Sequence, residues 1–135
     1  METIKEISGI LRKKGAPYFD NMDIDLFIEE IASKYFSCIH YYNCISQEGE
    51  SARLEFSFLT PKAVYDFTLV NKTIYTFIFF LKEITFVSEE ISENVRSLKI
   101  QNGDDTALIY NAFSNSDKIL LAEYGKMIVN EINKI

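Results

Sequence analysis

The chain has 135 residues, 47% of them hydrophobic and 25% charged, with a formal net charge of −6. That length suits a single domain, able to bury roughly two-thirds of its unfolded surface without disulfide or metal staples. Diffuse negative charge disfavours nucleic acid and anionic lipid surfaces as partners, because both rely on counter-charge.

Glu2 to Lys14 reads as a short amphipathic helix, with Ile4, Ile7, Ile10 and Leu11 at helical spacing. Gly15 and Pro17 end it. Lys5, Arg12, Lys13 and Lys14 are its only basic cluster, and cations near a helix C-terminus are ordinary. A second helix starts near Asp20 or Asn21, with Ile24, Phe27, Ile28 and Ile31 as its apolar stripe. Residues 35–46 are dense in aromatic and β-branched types, which favours a strand from about Phe36 to Ser46. The helical period also continues through Tyr35, Cys38, Ile39 and Tyr42, so a longer second helix stays open.

Gln47-Glu48-Gly49-Glu50 is a polar hairpin loop. Ala52 to Thr60 alternates, with Ala52, Leu54, Phe56 and Phe58 opposed by Arg53, Glu55 and Ser57, the pattern of a strand with one wet face. Ala63 to Val70 repeats it, with Tyr65, Phe67 and Leu69 opposed by Asp66 and Thr68. After the tight turn Asn71-Lys72 comes the stretch Thr73 to Phe86. From Ile74 to Leu81 both of its faces are apolar, which predicts a central strand covered on both sides. It is far too short for the ~20 apolar residues of a membrane span. Lys82-Glu83 breaks it, and Ile84 to Val87 restarts it as a fifth strand. Asn94 to Gln101 and Thr106 to Phe113 flank the hairpin signal Asn102-Gly103. Ser114-Asn115-Ser116 supplies the N-cap of a final helix from about Asp117 to Asn133, with Ile119, Leu120, Tyr124, Met127, Ile128 and Ile132 as its stripe.

The order is therefore two helices, about seven antiparallel strands and a C-terminal helix, an α+β chain. An antiparallel meander of this size closes or folds over to lose its edges, and the last helix must cover something apolar. The aromatic strand Ile74 to Phe80 carries a family resemblance. So do the restart Leu81-Lys82-Glu83-Ile84-Thr85-Phe86, the strand Leu98-Lys99-Ile100, the acidic turn Asn102 to Asp105 and the passage Tyr110 to Asp117. Together they resemble the pleckstrin-homology (PH)-like superfold, and uncharacterised bacterial domains of that type look similar. The abundance of Ile, Lys, Asn and Tyr suits an AT-rich bacterial genome. The resemblance implies a bent, partly open barrel of about seven strands over residues 35–135, capped by the C-terminal helix. Residues 1–34 would be a helical extension packed on it or an interface.

Phosphoinositide-binding PH domains carry Lys and Arg in the first hairpin. Here that loop holds Glu48 and Glu50, so such a ligand is not expected. The other use of the superfold is peptide recognition by strand addition between the fifth strand and the last helix. The matching positions are Ile84 to Ser88 and the adjoining face of Asp117 to Asn133.

Chemistry-bearing residues are few. On one strand Cys38, His40 and Cys44 share a face, which invites a zinc reading. At ~3.3 Å per residue His40 and Cys44 stand about 13 Å apart, too far for one metal, and Cys38 and Cys44 cannot form a disulfide. Cys38 and His40, about 6.6 Å apart along a strand, exceed the reach of a nucleophile–base pair. Asp104 and Asp105, or Glu89, Glu90 and Glu93, lack a calcium-loop pattern. No catalytic, cofactor-binding or metal residue is assigned, and no cofactor is expected. Without an export signal at the N-terminus the cysteines are expected reduced, in the cytoplasm. Two functions fit: a non-enzymatic module binding a protein partner, which includes another copy of itself, or a small-ligand barrel or enzyme with an interior Tyr/Phe cavity.

Overall fold

A computed structural model describes residues 3–103 and 106–135 of the chain. Glu2, Asp104 and Asp105 lie outside the described residues, so the expected helix start and the acidic turn are not assessed at those positions. Thr3 caps α1 (Ile4–Gly15), its side chain accepting from the Glu6 amide. The basic residues Arg12, Lys13 and Lys14 sit in its last turn, where the helix dipole favours them. Arg12 pairs with Asp25, and Lys14 Nζ donates to the Asn43 carbonyl at 3.3 Å. Helix α2 (Asn21–Lys34) follows, and its buried residues are the expected stripe Ile24, Phe27, Ile28 and Ile31.

Seven antiparallel strands form two sheets. The first has the order β1-β2-β3-β4, and the second β5-β6-β7. The strands are β1 (His40–Glu48), β2 (Ser51–Leu59), β3 (Ala63–Val70), β4 (Thr73–Phe80), β5 (Phe86–Ile91), β6 (Arg96–Asn102) and β7 (Thr106–Ala112). A single turn of 3-10 helix, Leu81–Glu83, joins the sheets where the sequence breaks at Lys82-Glu83. Helix α3 (Asn115–Asn133) packs on β1, β6, β7 and that turn. The architecture is α+β: an antiparallel, partly open barrel in two sheets, with a C-terminal helix and two N-terminal helices. The first expected strand is shorter than its sequence pattern. The helix stops at Lys34, and the strand begins only at His40, because Ser37 at φ 47° turns the chain between them. Asn71 and Lys72, at φ 48° and 64°, form the tight β3–β4 turn. The Lys72 ammonium reaches Asp20 and Asp23 at 3.0 and 3.3 Å, tying that turn to the start of α2.

The centre of the first sheet is not where the apolar run predicts it. β4 ends the sheet, and Tyr75, Phe77, Ile78 and Phe80 are all at least 39% exposed. The doubly covered strands are β2 and β3, whose alternation predicts one wet face each. From Leu54 to Leu59 every residue of β2 is buried. One face of the sheet, with Leu54, Phe56, Phe58, Phe67 and Leu69, packs under α1 and α2. The polar face, with Glu55, Ser57, Asp66 and Thr68, turns toward the second sheet and α3 instead of toward water. Burial is possible because most of these polar atoms find partners in one another and in the facing tyrosines, Asp66 Oδ1 being the exception among the described residues. Ser57 Oγ lies 3.0 Å from Tyr110 Oη and 2.6 Å from Tyr124 Oη.

The same contact sets the rotation of α3. Its buried residues are Leu121, Tyr124, Gly125, Ile128 and Glu131, while Ile119 and Leu120, expected in the stripe, face outward. Hydrophobic spacing alone admits either rotation. The Tyr124 hydroxyl fixes it by reaching Ser57.

Replacing Ser57 with Ala leaves two fully buried phenol hydroxyls without their common partner. The loss is expected to be about 1–3 kcal/mol, read as a lower urea midpoint by circular dichroism. An unchanged midpoint would show that the tyrosines find other partners.

Candidate functional site

The site is built from β5 and α3. β5 is bonded to β6 on one side and ends its sheet on the other. Ser114 caps α3, its side chain accepting from the Asp117 amide at 3.1 Å. The helix then runs beside β5 and β6 and leaves a groove of about 450 Å³. Val87, Ser88 and Glu89 of β5 form one wall, Ala122 and Val129 of α3 the other, with Leu98 at the base. Gly125 permits this approach. A Cβ there would stand 3.0 Å from Leu98 Cδ1 and 3.1 Å from Glu89 Oε1. The Arg96 guanidinium pairs with the Glu89 carboxylate across β5 and β6. Phe86 and Ile91, at the two ends of β5, are 57% and 66% exposed. Such a groove can take an extended chain that adds a strand to β5 and sets side chains against α3.

The residues weighed for metal or nucleophile chemistry do not come together. Cys38 precedes β1 and packs with the helix-side core, whereas Cys44 packs with the inter-sheet core. Their expected common face is therefore lost, because β1 begins only at His40, after the turn at Ser37, and leaves Cys38 outside the strand. Cys38 Sγ donates to the His40 carbonyl at 3.5 Å. His40 Nε2 stands 3.8 Å from Glu123 Oε2, and its ring meets Tyr124 edge-on. Burial pushes both thiols up, Cys44 to about 12 with Glu55 adding to the shift. A thiol raised this far stays protonated at neutral pH and is a poor nucleophile. Among the described residues, no cluster of His, Cys, Asp and Glu has metal-binding geometry. Glu89 is engaged by Arg96, and Lys118 Nζ donates to the Glu93 carbonyl.

The inter-sheet space is filled rather than hollow. Tyr42, Tyr110 and Tyr124 pack on one another with centroids 6.2–6.4 Å apart, beside Leu98 and Ile100. A smaller cavity of about 340 Å³ opens at the seam between β1, β2 and β7, lined by Cys44, Ser46, Arg53, Glu55, Ala107 and Asn111. Sequence reading missed this seam, since Glu55 sits on the face that alternation assigns to solvent. The one signal available was the placement of acidic and hydroxyl residues at matching positions of two adjacent strands. Among the described residues, no helix is long and apolar enough to cross a membrane.

No protein-family model matches the chain, and no curated protein matches it. It is similar in structure to the C-terminal domain of an unknown protein from Leishmania infantum, at 15% identity and a TM-score of 0.50. The match covers 93% of this chain and 98% of that one. The uncovered 7% is about 9 residues, fewer than the 12 and 14 of α1 and α2 together. The shared fold therefore takes in helical sequence as well as the sheets.

Gly125→Leu is expected to push α3 off β6 and cost about 1–3 kcal/mol through overpacking. The check is the thermal unfolding midpoint, with the loss of groove volume seen in a crystal structure of the variant.

Proposed function

We propose that this chain is a non-enzymatic protein-recognition module of PH-like architecture, which binds an extended segment of a partner protein between β5 and α3. The observation that carries this reading is the groove itself: a strand with one unpaired edge, walled by a helix that Gly125 holds close. The order of a four-stranded sheet, a three-stranded sheet and a closing helix supports the PH-like assignment. An unpaired strand edge supplies backbone donors and acceptors without regard to side chains. The groove walls, with Val87, Ala122 and Val129 for apolar groups and Lys126 and Asn130 for polar ones, supply selectivity. The competing reading, an interior ligand site, requires space among the aromatics, and Tyr42, Tyr110 and Tyr124 fill that space with one another.

Selection of displayed random peptides on the intact chain tests the proposal. Binders are expected to shift the amide resonances of Val87–Glu89 and of the facing residues of α3. Ala122→Trp, which fills the groove, is expected to weaken them at least about tenfold, or 1.4 kcal/mol. Selected peptides that bind Ala122→Trp as well as the parent chain, or that leave β5 unshifted, would overturn it.

A further inference from the structure

Glu55 and Asp66 are diagonal neighbours on β2 and β3, since Glu55 pairs with Thr68 and Ser57 with Asp66. They are 6% and 1% exposed. Thr68 Oγ1 lies 3.4 Å from Glu55 Oε2 and 3.3 Å from Asp66 Oδ2. A hydroxyl has one hydrogen, so Thr68 can donate to only one of two carboxylates. The second contact needs a proton on a carboxyl oxygen. Among the described residues, Arg53 is the cation in an ion pair with one of the two acids. The Arg53 guanidinium stands 3.8 Å from Glu55 Oε2, with its side chain half exposed. Asp66 Oδ1 is buried without a hydrogen-bond partner among the described residues.

The remaining groups that face the pair are neutral. β1 contributes the Cys44 thiol, 3.8 Å from Glu55 Oε1. β4 places Phe77 beside Asp66 and Tyr75 beside Thr68. β7 contributes Tyr110, whose hydroxyl acts on Asp66 directly as well as meeting Ser57, and α3 contributes Tyr124 through Ser57. Lys14 of α1 and Asp117 of α3 act on neighbouring Cys44 with opposite signs.

We propose that one proton shared by Glu55 and Asp66 latches the two sheets and α3 together, and that its loss toward alkaline pH opens the seam between β1 and β7. With the proton in place, the pair carries one negative charge and its contacts to Thr68 are both satisfied. Without it, two carboxylates face each other in a dry site, and like charges at such range cannot both stay ionised without water. The seam cavity that Glu55 already lines is the route by which water would reach the pair. Admitting it strains the bond across the seam, in which Tyr42 Oη donates to the Asn111 carbonyl at 2.9 Å. Burial is the main cause that pushes both acids up, Glu55 to about 8 with the Asp66 charge adding to it, and Asp66 to about 6. Acids raised in the folded state hold protons that the unfolded chain releases. Their contribution is fully present below about pH 4 and is lost as pH rises toward 8.

The test is thermal unfolding and near-ultraviolet tyrosine dichroism of the full chain between pH 5 and pH 9.5. The parent chain is expected to lose at least about 5 °C of melting temperature between pH 6 and pH 9, with the tyrosine signal falling in the same range. Glu55→Gln, which keeps the shape and removes the second charge, is expected to flatten both curves. A Glu55→Gln curve that follows the parent chain's would overturn the proposal. Should that variant fail to fold, carbon-13 titration of the side-chain carboxyls in the parent chain decides. A Glu55 carboxyl that titrates above pH 6.5 supports the latch, and one that titrates wholly below pH 6 overturns it.

Discussion

The Ser57 hydroxyl, held between the phenols of Tyr110 and Tyr124, is the contact on which the rest of this structure depends. It joins β2 of the first sheet to β7 of the second and to α3. Hydrogen bonds are directional where apolar contacts are not, so this one fixes a relative placement that packing alone leaves loose. The partly open barrel, the rotation of α3 and the position of Gly125 beside β6 all follow from it.

That contact also explains why the first sheet is buried on both sides. Its apolar face needs α1 and α2, which place Ile7, Leu11, Ile24, Phe27 and Ile31 against Leu54, Phe56 and Phe67. Its polar face is covered by the second sheet because the hydroxyls and carboxyls there find partners in one another. A polar group buried with its partner costs little, whereas one buried alone costs several kcal/mol. The acid pair at Glu55 and Asp66 is the place where this arrangement is closest to failing, and it lies beside the open seam.

The two sheets leave strand edges on the surface, and the molecule treats them differently. At β1, Lys14 reaches a backbone carbonyl of the edge strand. At β5, α3 stands alongside and leaves a groove with apolar walls. At β4 the edge carries no charged residue from Thr73 to Leu81 and leaves four large apolar side chains partly in water. An uncharged edge lacks the usual protection against further pairing.

Much of the fold was legible in the sequence because it rests on local rules. Turn residues, caps and alternation identified the β2, β3, β6 and β7 strands, the α2 stripe and the break at Lys82-Glu83, since each depends on neighbours a few residues away, whereas residues 35–46 stayed open between strand and helix and the fifth strand was read short of its end at Ile91. The candidate β5–α3 groove was suggested by resemblance alone, for its walls, residues 87–89 and 122–129, come from segments distant in the chain and hold no signature residue. What the sequence could not decide was which strand is central and which face is wet. An apolar run such as Ile74 to Leu81 reports that burial is favourable, not that a partner is there to provide it. An alternating strand such as Ala52 to Leu59 reports two chemically distinct faces, not that the polar one meets water. Those outcomes belong to the tertiary structure, because they depend on whether groups distant in the chain, such as Ser57 and Tyr124, meet at hydrogen-bonding distance.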